Sequence, residues 1–142
     1  MNKISLVVLF LGSLNLAFAQ THEWKSDTNK VYHLNDFHPG EFENVKVEKI
    51  CTQEEATSFV IWVKDNVPAH YHKHHNETLN FLEGEGVFTV GGVKHEVKPG
   101  DFITIPKTVV HEFKTTSKTP VKVISIQAPE FLGKDIIWIK SP

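Results

Sequence analysis

From residue 45 onward the sequence breaks into short segments in which apolar and polar side chains alternate or apolar β-formers run together, each closed by turn residues. That period of two suits β-strands and leaves little room for anything else. Val45 and Val47 alternate with Lys46, Glu48 and Lys49 in a half-buried strand over 45–51. Residues 58–63 are apolar and rich in β-branched and aromatic side chains, as strands prefer. Further strands are expected at 78–82, 87–90, 93–97, 102–105, 111–115, 121–127 and 136–139. Gly91-Gly92 between Val90 and Val93 marks a tight hairpin, because two glycines supply the positive φ angles of such a turn. Lys98-Pro99-Gly100-Asp101 makes a second turn, and Pro106 and Pro120 fall where strands end. A short extended stretch at 31–34 and a helical turn at 52–57 are the other local expectations. Many short strands without a long 3.6-residue periodicity predict an all-β sandwich or barrel. Its core is expected to draw on Phe59, Ile61, Val63, Phe81, Phe88, Phe102, Ile103, Ile105 and Phe113.

A chain of 142 residues suffices for one domain with a real core. The formal charge of −2 carries no block of like sign, so neither nucleic acid nor an anionic membrane surface is an expected partner. All 15 basic side chains are lysines. Without arginine, the usual bidentate clamp for carboxylate or phosphate is missing, which weighs against a site for phosphosugars or dicarboxylates. Cys51 has no partner cysteine, so the fold rests on its apolar core.

Residues 1–19 read as an export signal: Met-Asn-Lys, an apolar run from Ile4 to about Leu16, then Ala17-Phe18-Ala19 as a cleavage site. The run is shorter than the ~20 apolar residues a membrane span needs. Cleavage is expected before Gln20. The product would be periplasmic or secreted, free of the membrane, with an N-terminal extension over 20–44.

Six of the nine histidines lie between positions 70 and 111. In a strand, residues i and i+2 face the same way, so His70 and His72 point together. Glu77 follows a short loop at the start of the next strand, and His111 must return beside them through the fold. Three imidazoles and one carboxylate suit one divalent transition metal, Fe, Mn, Ni, Cu or Zn, and leave coordination positions open.

These residues give the chain its resemblance to the cupin superfamily, in its small single-domain form. His70-x-His72, four residues, Glu77, six residues and Gly84 reproduce the first cupin motif. Gly100, five residues, Pro106, Thr108, two residues and His111 reproduce the second, with Thr108 where the motif has glycine and Thr115 where it often has asparagine. The resemblance covers about residues 45–128. It implies a small antiparallel β-barrel or jelly roll over 45–142, a homodimer, and one metal held by His70, His72, Glu77 and His111. Cupins include dioxygenases, isomerases, lyases and binding modules, so the resemblance alone names no reaction. The expected function is a metalloenzyme of dioxygenase or sugar isomerase type acting on a small oxygen-rich molecule. The alternative is a non-catalytic metal-dependent or sugar-binding module.

Other positions carry expectations of their own. His74 and His75 read as loop residues at the barrel mouth, with a proton-shuttling role as their functional alternative. Leu79 and Phe113 share strand parity with Glu77 and His111, and together with Phe81 are the expected pocket walls. Trp62 and Trp138 are assigned to the core or a subunit interface ahead of stacking on a sugar ring. Tyr71 points away from its histidine neighbours, His95 is solvated, and Asp135 is expected at the surface.

Overall fold

The computed structural model of the chain describes residues 30–140; the expected export signal and residues 20–29 of the expected N-terminal extension lie outside the described residues. Among the described residues ten antiparallel strands follow one another: β1 (Val45–Gln53), β2 (Ala56–Val63), β3 (Asn66–His72), β4 (Asn76–Glu83), β5 (Gly86–Val90), β6 (Val93–Val97), β7 (Phe102–Ile105), β8 (His111–Thr115), β9 (Val121–Ala128) and β10 (Ile136–Trp138). They form two five-stranded sheets, ordered β1-β2-β9-β4-β7 and β10-β3-β8-β5-β6. The all-β architecture is the one expected from the alternation, and the jelly roll is the one the resemblance implies.

Period-two alternation fills the space between the sheets. On β8, His111, Phe113 and Thr115 are buried while Glu112 and Lys114 are exposed. On β4, Glu77, Leu79 and Phe81 are buried in the same rhythm. The core gathers Val63, Leu79, Phe81, Phe88, Val97, Ile105, Phe113, Val121 and Val123. Its aromatic centre is Phe81, Phe88 and Phe113, whose ring centroids lie 5.9–6.3 Å apart. Burying each such ring contributes about 1.5–3 kcal/mol. The Gly91-Gly92 turn forms as expected, with φ of +55° and +82°, and closes the β5–β6 pairing at Val90 and Val93.

Three local expectations are corrected. Residues 52–57 form no helical turn: Glu54-Glu55 join β1 to β2, and the Thr52 and Thr57 hydroxyls hydrogen-bond across the hairpin at 2.8 Å. Antiparallel pairing of Gln53 with Ala56 wins over the weak helical propensity of so short a segment. The stretch expected to be extended at 31–34 runs into a 3-10 turn at Leu34–Asp36. That turn is held by the ammonium of buried Lys122, which donates to the Leu34 and Phe37 carbonyls at 2.7 and 3.1 Å. Phe102 is not core: it is 62% exposed on β7, an edge strand whose inward series ends in Ile105. Cys51 stays a half-buried free thiol, Trp62 is buried, and His95 is exposed as expected.

Candidate metal centre

The three histidines come from one sheet and the carboxylate from the other. Pairing of β3 with β8 shifts register between Val67 and His70, around Pro68, whose missing N–H suits a bulge. Beyond the shift His70 stands directly opposite His111. His72 follows on the same face of β3. Across the interior, β4 and β9 place Glu77 opposite Gln127. On β9 the buried series Val121, Val123, Ser125, Gln127 turns from apolar to polar as it nears the histidines.

The ligand atoms of His70, His72 and His111 all lie within 4.8 Å of one another, and all three side chains are buried. The His70 and His111 rings are oriented alike. Nδ1 of each donates to the carbonyl two residues earlier, Pro68 at 2.8 Å and Val109 at 3.0 Å. A carbonyl only accepts, so Nδ1 carries the proton and Nε2 keeps its lone pair. Phe88 stacks on His111 and Trp138 lies against His70, with centroids 5.9 and 5.0 Å apart. Burial is the main cause that pushes the His70 pKa down, to about 4, leaving the ring neutral near pH 7.

Glu77 Oε2 stands 3.3 Å from Nε2 of His72 and 3.4 Å from Nε2 of His111. Its other oxygen, Oε1, accepts from the Ser125 hydroxyl at 2.5 Å and from Gln127 Nε2 at 3.4 Å. Burial opposes its ionisation, but the neighbouring His111 and His72 imidazoles and the Ser125 hydroxyl hold it well below the usual carboxylate range.

Both nitrogens of His72 and Nε2 of His111 are buried without a hydrogen-bond partner among the described residues. Leaving such groups unpaired costs about 1–3 kcal/mol each. Inward lone pairs on neutral imidazoles are the donor set a divalent transition cation takes. The three buried histidines therefore fit a metal ion.

Two cavities flank this cluster. The smaller, about 80 Å³, has Leu79, Phe81 and Phe113 in its walls and reaches His70, Glu77 and His111. These three residues belong to the packed core, on the interior side of the histidines. The larger, about 420 Å³, lies on the side of β1 and β10 and also reaches His70, His72 and Glu77. Its walls include Phe59, Phe131, Ile136 and Trp138.

His74 and His75 separate. His74 is exposed, whereas His75 is buried, against the expectation that both are mouth residues. The His75 ring is held between the Asp135 carboxylate and the Glu130 carbonyl, the latter at 3.0 Å from Nε2. Asp135 is likewise buried and not at the surface. It accepts the backbone N–H groups of His74 and His75 at 3.0 and 3.1 Å, and its Oδ2 lies 3.9 Å from Nδ1 of His72. Burial raises the Asp135 pKa, but the His75 side chain and the two backbone donors outweigh it and draw the pKa below its ordinary value. Ser125, Gln127 and Asp135 are the site residues that sequence reasoning missed. For the first two a signal existed: polar side chains continuing the buried series of a core strand.

Residues 58–127 match the cupin domain family. An uncharacterized protein of Aquifex aeolicus is 32% identical over 101 residues, 71% of this chain and 83% of that one. Quercetin 2,3-dioxygenase of Bacillus subtilis is 32% identical over 65 residues, 46% of this chain but only 19% of the enzyme. Among solved structures, a conserved protein with a double-stranded β-helix domain from Klebsiella pneumoniae superposes with a TM-score of 0.68 at 16% identity, over 79% of this chain and 98% of the other.

Proposed function

The chain belongs to the cupin family, and from that premise we propose an exported metalloenzyme that holds one divalent transition ion with His70, His72, Glu77 and His111 and acts on a small molecule. The observation that carries this reading is the set of buried, partnerless imidazole nitrogens gathered around the Glu77 carboxylate. A cation of the Fe, Mn, Ni, Cu or Zn class supplies Lewis acidity and open positions for a substrate oxygen. The protein's own part is orientation and exclusion of water. The Pro68 and Val109 carbonyls aim two imidazoles inward, and Ser125 and Gln127 hold Oε1 so that Oε2 faces the histidines. The core aromatics Phe81, Phe88 and Phe113 close the interior side.

Dioxygenase-type chemistry is favoured over sugar isomerisation. The titratable side chains in the wall of the larger cavity are His70, His72 and Glu77, all of them proposed ligands. A proton transfer along a sugar needs a base within hydrogen-bond reach, and none besides the ligand set lines that cavity among the described residues. The likeness to quercetin 2,3-dioxygenase points the same way. The same lack of a separate base supports a second reading, a metal-dependent binding module without turnover. The proposal includes a homodimer that covers the edge strand β10, where Ile137 and Trp138 are 41% and 54% exposed beside unpaired backbone.

Elemental analysis of the protein purified from its exported location without chelators tests the reading. Near-stoichiometric metal that His72→Ala and His111→Ala each abolish is the expected result. A protein that stays metal-free and takes up none of the five metals on titration overturns it. Light scattering on the same sample reads the oligomer.

A further inference from the structure

Gln127 is 94% buried by its 6% exposure, lines the larger cavity, and has an unused acceptor. Its amide is oriented by its neighbour. Nε2 faces Glu77 Oε1 at 3.4 Å, on the carboxylate oxygen that Ser125 also donates to. Turning the amide over would set two oxygens against each other, so the carbonyl oxygen is the end left free. That Oε1 is buried with no hydrogen-bond partner among the described residues. A buried acceptor with nothing to accept is costly, and a ligand that brings an O–H or N–H donor relieves the cost.

The rest of the cavity describes the rest of the ligand. Its volume of about 420 Å³ is in the range of small-molecule sites, roughly 300–1,000 Å³. Val47, Phe59, Phe131, Ile136 and Trp138 make its walls apolar, and Phe59 and Phe131 meet edge to face at 5.6 Å. No lysine lines it, and the chain has no arginine, so an organic anion finds no cationic side chain in these walls. A polyol would lose most of its hydrogen bonds to water and regain few.

We infer that the cavity between β1 and β10 receives a neutral, largely apolar molecule bearing a hydroxyl, and that Gln127 Oε1 is the acceptor that reads this hydroxyl. This departs from the oxygen-rich molecule expected from the sequence: the apolar walls favour one with few polar groups. The inference rests on the proposed metal centre only for which end of the cavity is reactive; recognition by Gln127 stands apart from it.

The test uses the full protein as purified and four probes: 4-ethylphenol, its O-methyl ether 4-ethylanisole, 4-ethylbenzoate and glucose. Binding is read by calorimetry or by tryptophan fluorescence, Trp138 being the tryptophan in the cavity wall. The phenol is expected to bind about 10-fold tighter than the ether, the worth of one well-made hydrogen bond, with benzoate and glucose weaker than both. In Gln127→Met the phenol's advantage disappears while the ether binds as before, the two proteins being compared at equal metal occupancy because Gln127 also donates to Glu77. Ser125→Ala, which removes the other Glu77 donor and keeps Gln127 Oε1, is expected to retain the phenol preference. Equal binding of phenol and ether to the unaltered protein overturns the inference without any variant. So does tightest binding of benzoate or glucose, or a phenol preference that survives Gln127→Met, which would assign it to the metal. A metal-free protein that still prefers the phenol through Gln127 removes the metalloenzyme reading and leaves this one standing.

Discussion

Asp135 Oδ2 lies 3.9 Å from Nδ1 of His72, the one ring of the three clustered histidines with no backbone carbonyl holding its Nδ1. His70 and His111 are aimed by their own strands. Nδ1 of His72 instead faces, beyond hydrogen-bond distance, a carboxylate more than sixty positions further along the chain, brought there because β10 pairs with β3, Ile136 opposite His72. The C-terminal segment is thereby part of the site.

Asp135→Asn is expected to weaken metal binding about 10-fold, the lower end of what partners behind a ligating histidine contribute. It keeps the side chain's size and one acceptor oxygen, so the barrel should stay folded. Competition against a chromophoric chelator measures the effect, with circular dichroism as the folding control. Unchanged affinity would mean that His72 is held by packing alone.

Metal should stabilise the fold by mass action. At free metal about 100-fold above the dissociation constant, the gain is about 2.7 kcal/mol. Thermal melts with and without a chelator should differ accordingly, and His72→Ala should erase the difference. A chelator-insensitive melting temperature in a metal-loaded sample would contradict binding to the folded state alone.

Thr108, which stands where the motif has glycine, holds a left-handed backbone with φ of +69°. It does so because its N–H donates to the His72 carbonyl at 2.7 Å, tying the loop before β8 to the end of β3. A β-branched side chain is strained there. Thr108→Gly is therefore expected to raise stability by ~1 kcal/mol, part of the relieved strain being offset by glycine's unfolded-state entropy. The urea midpoint should rise with an unchanged slope.

Gly86 sits against the aromatic core: a Cβ there would lie 2.2 Å from the Phe113 ring and 2.6 Å from the Lys114 carbonyl. Phe113 is buried against Phe81 and Phe88 and cannot swing away. Gly86→Ala should cost about 3 kcal/mol as overpacking, seen as a lower melting temperature. A neutral result would show that β5 can slide outward.

The local pattern of the sequence determined the strands, the Gly-Gly hairpin and the shared face of His70 and His72, because these follow from side-chain alternation and from which residues accept positive φ. Alternation tells which residues share a face, but not whether that face looks inward or which strands become neighbours. Only the tertiary structure decided that His111 stands opposite His70, and that Ser125 and Gln127 meet Glu77 from the next strand. It turned Phe102 outward on an edge strand and buried Asp135 behind His72. The physical reason is common to all four. Strand pairing and sheet packing join residues far apart in the chain, and the burial that results is a property of the assembled sheets, not of any segment read alone.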